Sequence, residues 1–100
     1  MGDKFDGVVE AVRYKSGQIL YVRAYERRGA TFSDQVLLPR NELLKRLKAG
    51  RRFVTGRRQE LLASTFEVGK SIHLVAKNAH EIVTTRPDAA QDELEGLPVF

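Results

Sequence analysis

The stretch TFSDQVLLPRNELLKRLKAG, residues 31–50, changes its hydrophobic period once, at Pro39. Before it, Phe32, Val36, Leu37 and Leu38 give a short strand candidate over residues 31–38. Pro39 fixes φ and offers no N–H to a ladder, so the strand should stop there. After it, Leu43, Leu44 and Leu47 fall at i, i+1 and i+4, which is one apolar stripe of a helix. Pro39 suits the first helical position and Gly50 the position just past the end. A strand therefore runs directly into a short, bounded helix.

Working outward toward the N-terminus, residues 5–14 (FDGVVEAVRY) and 19–27 (ILYVRAYER) are rich in Val, Ile and Tyr. The Lys15-Ser16-Gly17-Gln18 connection between them reads as a tight hairpin turn. Pairing Tyr14 with Ile19 sets Val12 against Tyr21, Glu10 against Arg23 and Val8 against Tyr25, and the Glu10–Arg23 match favours that register. Val9, Ala11, Leu20, Val22 and Ala24 make one face, and Val8, Val12, Tyr14, Ile19, Tyr21 and Tyr25 the other. Both are apolar, so periodicity leaves the core-facing side open. Arg28-Gly29 ends the second strand.

Beyond the helix, residues 51–57 (RRFVTGR), 64–68 (STFEV), 71–76 (SIHLVA) and 81–85 (EIVTT) are strand candidates, with turns or bulges at Gly69-Lys70 and Lys77-Asn78. The order predicts a mainly β fold: a small, partly open β-barrel with OB-like or SH3-like strand order, and one short α-helix between the third and fourth strands. Residues 1–86 form the expected basic barrel domain. Residues 87–100 (PDAAQDELEGLPVF) lose the alternation and read as an acidic, flexible C-terminal tail outside the core.

Composition narrows the function classes. The chain has 100 residues, 42% of them apolar and 30% charged, which is one folded domain's profile. It has no Cys, so disulfides, cysteine zinc sites and thiol catalysis are excluded together. No apolar run approaches the roughly 18 residues of a membrane span, and MGDKFDG lacks a signal peptide's apolar stretch. A cytoplasmic location is the expectation, with no membrane partner. Residues 1–86 carry all 17 Lys and Arg and nine of the 13 acids, a formal +8, whereas residues 87–100 carry four acids and no base. A basic body with an acidic tail points toward a polyanion.

The densest feature lies in residues 40–58, where eight cations stand against the single acid Glu42. Lys45, Arg46 and Lys48 occupy the helix face away from the leucines, Arg51 and Arg52 continue from its end, and Arg57 and Arg58 follow. Clustered cations release counterions from a phosphate backbone, and Arg adds a bidentate fork. The same cations also suit a solvated helix C-terminus. A second feature is the alternation Tyr21, Arg23, Tyr25, Arg27: if that face points outward, Tyr21 and Tyr25 could stack bases while Arg23 and Arg27 contact the backbone. Core packing of the tyrosines is the competing account.

Catalytic motifs fail on inspection. Gly69-Lys70-Ser71 matches the end of a phosphate-binding loop, but Ser64 stands where the first Gly is needed and strand flanks both sides. His73 and His80 are the only histidines and sit on different candidate strands, so no metal is expected. The carboxylates are scattered, and neither an enzyme nor a cofactor is indicated. The sequence expectation is a non-enzymatic domain that binds nucleic acid through Lys45, Arg46, Lys48, Arg51, Arg52, Arg57, Arg58, Tyr21 and Arg23. The alternative is a protein-interaction or assembly module acting through the acidic tail or a sheet edge. Oligomeric state stays open.

Overall fold

The computed structural model describes residues 5–59, 66–77, 80–86 and 88–100. Its first hairpin joins β1 (Gly7–Lys15) to β2 (Gln18–Arg28). Ser16 and Gly17 both adopt positive φ, 53° and 80°, the twist that matches a two-residue hairpin turn. Tyr14 pairs with Ile19 and Val8 with Tyr25, as expected, but the middle is offset by one: Val12 faces Val22 and Ala11 faces Arg23. The expected Glu10–Arg23 pair is therefore absent. Two bulges cause this, one absorbing Leu20 on β2 and the other Glu10 on β1. Skipping those two residues restores a clean alternation. Val9, Val12, Ile19, Val22 and Ala24 then share the core face, and Tyr21, Arg23, Tyr25 and Arg27 share the other. Glu10, freed from the ladder, accepts the Arg58 N–H at 3.0 Å and a Gln35 side-chain N–H at 2.6 Å.

The third expected strand is a single run interrupted at Ser33–Gln35. β3 (Thr31–Phe32) and β4 (Val36–Pro39) both pair with the outer edge of β2. Pro39 is the cap of α1 (Arg40–Lys48), one position earlier than the sequence suggested. Gly50, at φ 87°, lets the chain leave the helix: the Gly50 N–H donates to Leu47 O and the Arg51 N–H to Arg46 O. The Leu stripe behaves as read. Leu43 is fully buried, worth about 1.5–3 kcal/mol, and Leu44 and Leu47 pack beside it.

The helical crossover allows β5 (Phe53–Arg58) to lie parallel to β1, with Gly7 opposite Phe53. β6 (Phe66–Ser71) pairs antiparallel with β5 and carries a bulge at Gly69-Lys70. β7 (His73–Lys77) and β8 (His80–Thr84) form a separate hairpin. Residues 64–65 and Asn78, parts of an expected strand and turn, lie outside the described residues. The main sheet curls into a half-barrel around Val9, Val12, Val22, Leu38, Phe53 and Ile72, consistent with a small, partly open β-barrel.

The acidic segment is not a tail outside the core. Ala89, Asp92 and Leu94 are all buried, and Leu94 belongs to the central cluster. Asp92 explains the docking: its carboxylate accepts the Ile19 N–H at 2.8 Å, the Val83 N–H at 3.0 Å and Arg40 Nε at 2.7 Å. One acid thus ties the segment to β2, β8 and α1. The Leu94 N–H donates to Tyr14 Oη at 2.9 Å; burial still raises that phenol above its ordinary pKa. Further along, Val99 bridges Val12 in parallel, through bonds from the Val12 N–H to Pro98 O and from the Phe100 N–H to Val12 O. Sequence reasoning saw acids and lost alternation. It could not see that one of those acids had backbone donors waiting for it.

Candidate functional site

The eight cations of residues 40–58 do not form one surface. Arg40 turns inward to Asp92, whose hydrogen bond holds the guanidinium above its ordinary pKa, and also donates to Glu81 O at 2.6 Å. Lys48 pairs with Glu81 at 2.7 Å, and Arg57 with Glu67 at 3.0 Å. Arg58 is exposed at the far end of β5, about 20 Å of strand from Arg52. Arg52 is exposed as well and its N–H is held by Asp6 at 2.8 Å, but it does not line the concavity described next.

Lys45, Arg46 and Arg51 do converge, and they do so with partners from another element. They line a notch of about 340 Å³ together with Arg27 and Arg28 from the end of β2. Local structure explains each position. α1 carries Lys45 and Arg46 as consecutive residues of its last turn. The helix-ending bond from the Arg51 N–H to Arg46 O folds Arg51 back beside them. The end of β2 is fixed by the Arg27 N–H donating to Asp6 O at 2.7 Å. Glu26 lines the notch too and binds Arg46 Nε at 2.5 Å; Glu42 takes Arg46 Nη1 at 3.0 Å and Lys45 Nζ at 3.2 Å. Glu26 raises the pKa of Arg46, and the Arg46 and Lys45 bonds hold the Glu42 carboxyl below its usual range. Five cations against two acids leave the notch positive. Among the described residues, Arg27, Arg28 and Arg51 have no carboxylate within ion-pair distance.

Tyr21 and Arg23 lie elsewhere on the outer sheet face. Tyr21 is half-buried opposite Arg13, and the Arg23 guanidinium stacks on the Phe100 ring at 4.2 Å, so one of its faces is already covered. Arg23 also lines a larger groove of about 770 Å³. There Arg57 and Lys70 are matched by Glu67 and Glu95 at 3.0 and 3.1 Å. That groove is charge-balanced and offers little to a polyanion.

Comparison with known proteins decides nothing further. No family model, curated protein or solved structure matches this chain. No group of three His, Asp or Glu among the described residues could hold a metal ion, and no helix there is long and apolar enough to cross a membrane. The site thus rests on its own geometry.

Sequence reasoning gave Arg28 no role, grouped Arg27 with the tyrosines of its strand rather than with the helix cations, and missed an aromatic cluster beside the notch. Phe32 contacts Phe66 at 4.8 Å and Phe5 at 5.7 Å between ring centroids, and Tyr25 contacts Phe66 at 5.2 Å. The Arg27-Arg28 doublet was a local signal that could have been weighed. The cluster had none, because its rings come from four separate segments.

Proposed function

We propose that this protein binds nucleic acid through phosphate contacts centred on the notch of Arg27, Arg28, Lys45, Arg46 and Arg51. The observation that supports this reading is the convergence of guanidinium groups from β2 with cations from α1 and its C-terminal turn. Three of those guanidiniums are free of carboxylates among the described residues. Paired cations are poor phosphate ligands because an incoming anion must first displace an acid. Lys48 and Arg57 therefore contribute little, and Arg40 nothing.

Fluorescence anisotropy of a labelled oligonucleotide, titrated at low and moderate salt, tests the reading. The double variant Arg28→Glu/Arg51→Glu should weaken binding at least about tenfold and flatten the salt dependence, since each lost phosphate contact removes about 0.7–0.9 from the log–log slope. Arg57→Gln should leave binding unchanged. Absence of any binding by the unaltered protein at low salt refutes the assignment.

A protein-interaction module is the second reading, favoured by the exposure of Leu37, Val68 and Val99, at 54%, 48% and 66%. Sedimentation at increasing concentration separates the two. Self-association without affinity for oligonucleotide would favour the module.

A further inference from the structure

We infer that the nucleic acid taken by the notch is single-stranded, and that an unpaired base seats against the aromatic cluster at the Arg27 edge. This rests on the phosphate-binding reading and adds the class of strand. The residue that carries it is Arg27, which belongs to both surfaces. Its side chain lines the notch, while its guanidinium carbon stands 4.7 Å from the Phe32 ring centroid and 5.9 Å from that of Phe5. Its Nε donates to Phe5 O at 2.9 Å, which fixes the guanidinium in plane before any ligand arrives. β-Sheet pairing of Arg27 with Phe32 puts both side chains on the outer face.

Phe5, Phe32 and Phe66 are each half-buried, so the cluster is not closed off from solvent. The rings meet edge-on or tilted rather than face to face, and each of the three residues keeps part of its surface exposed. A base is flat, aromatic and attached to an anion, and the Arg27 edge offers a ring and a cation within one side chain's reach. Duplex DNA hides its base faces in the stack and could engage the notch only through phosphates. A single strand could use both surfaces, and stacking on one aromatic side chain is typically worth ~10-fold or more in affinity.

The test compares a mixed-sequence single strand of DNA, the same strand as RNA, and the annealed duplex, each labelled and titrated with the unaltered protein and with Phe32 variants. Phe32→Leu keeps an apolar side chain but removes the ring; Phe32→Trp keeps a stacking surface. The expected result is tighter binding of the single strands than of the duplex. Phe32→Leu should lower single-strand affinity by ~10-fold with the salt slope and duplex affinity unchanged, and Phe32→Trp should restore it. Thermal melts of each variant verify that the fold is retained. Equal or tighter duplex binding, or single-strand affinity indifferent to Phe32→Leu in a folded variant, overturns the inference while leaving the phosphate reading intact. Loss of all binding at low salt removes the phosphate reading itself. A DNA-over-RNA or RNA-over-DNA preference identifies which single strand is taken.

Discussion

Asp92 concentrates more of this structure in one side chain than any other residue of the acidic segment. Its side chain is 1% exposed, and it satisfies two backbone N–H groups and the Arg40 guanidinium. Removing it strands all three. Asp92→Ala should cost about 3–5 kcal/mol, the range for breaking a buried ion pair on one side. Asp92→Asn should cost less, because one amide oxygen can still accept, although its NH₂ would face donors. Urea denaturation of the two variants measures both. Equal stability of Asp92→Ala and the unaltered protein would show that the contact is incidental. At this scale the sequence was least informative. Asp92 looked like one of four tail acids, and only the donors of Val83 and Ile19, nine and 73 residues away in the chain, separate it from Asp88, Glu93 and Glu95. The same holds for Arg40, which looked like a surface cation and is the partner of a buried acid.

At the scale of elements, the sequence was legible wherever a local pattern had a local cause. The Ser16-Gly17 turn, the Leu43, Leu44 and Leu47 stripe, the Gly50 stop and the Gly69-Lys70 irregularity are each set by backbone sterics or helical geometry within a few residues. The hairpin faces were not legible, because Glu10 and Leu20 each insert a residue that alternation counts as a step. Nor was the notch, whose parts belong to β2 and α1. The β5–β6 pair illustrates how tightly one element can constrain a residue. A Cβ at Gly56 would stand 2.3 Å from Glu67 O, a backbone atom that cannot swing aside. Gly56→Ala should therefore destabilise the protein by roughly 1–3 kcal/mol, as overpacking does, and amide exchange should accelerate in β6 before β1. Unchanged stability would mean that the two strands can slide apart without cost. The same strand protects its own edge. Lys70 and the bulge beside it interrupt what would otherwise be a flat, open row of backbone donors beside the exposed Val68.

For the whole molecule, the acidic segment divides into an anchor and an extension. Residues 88–94 supply Ala89, Asp92 and Leu94 to the interior, whereas Gly96, Pro98 and Val99 are exposed. A chain shortened to end at Glu95 should remain folded. It loses the two bonds at Val12, the Phe100 contacts with Arg13 and Arg23 and the packing of half-buried Leu97 on the core, about 2–4 kcal/mol in all. A chain ending at Thr85 loses the anchor as well. That loss is comparable to the roughly 5–15 kcal/mol that holds a domain together, so it should be unfolded or molten. Circular dichroism melts of the two shortened chains check this, and a folded protein ending at Thr85 would restore the segment to the status of an appendage. Net charge, by contrast, was readable from composition, but composition could not say where the charge would gather. Of nine residues chosen from sequence, Lys45, Arg46 and Arg51 meet in the notch. The other six are spread over the helix flank, the connection from α1 to β5, β5 itself and the outer sheet.

The paired bulges of the first hairpin have one more consequence. Each absorbs its surplus residue without exchanging inside for outside, so the strands' alphabet of buried and exposed positions would survive the deletion of Glu10 or Leu20 or both. What would not survive is the bend: a ribbon trimmed of these two letters would keep its grammar yet straighten, opening the curved wall against which α1 and the acidic anchor close. In this chain, which residues face inward and how strongly the wall arches are written by different residues.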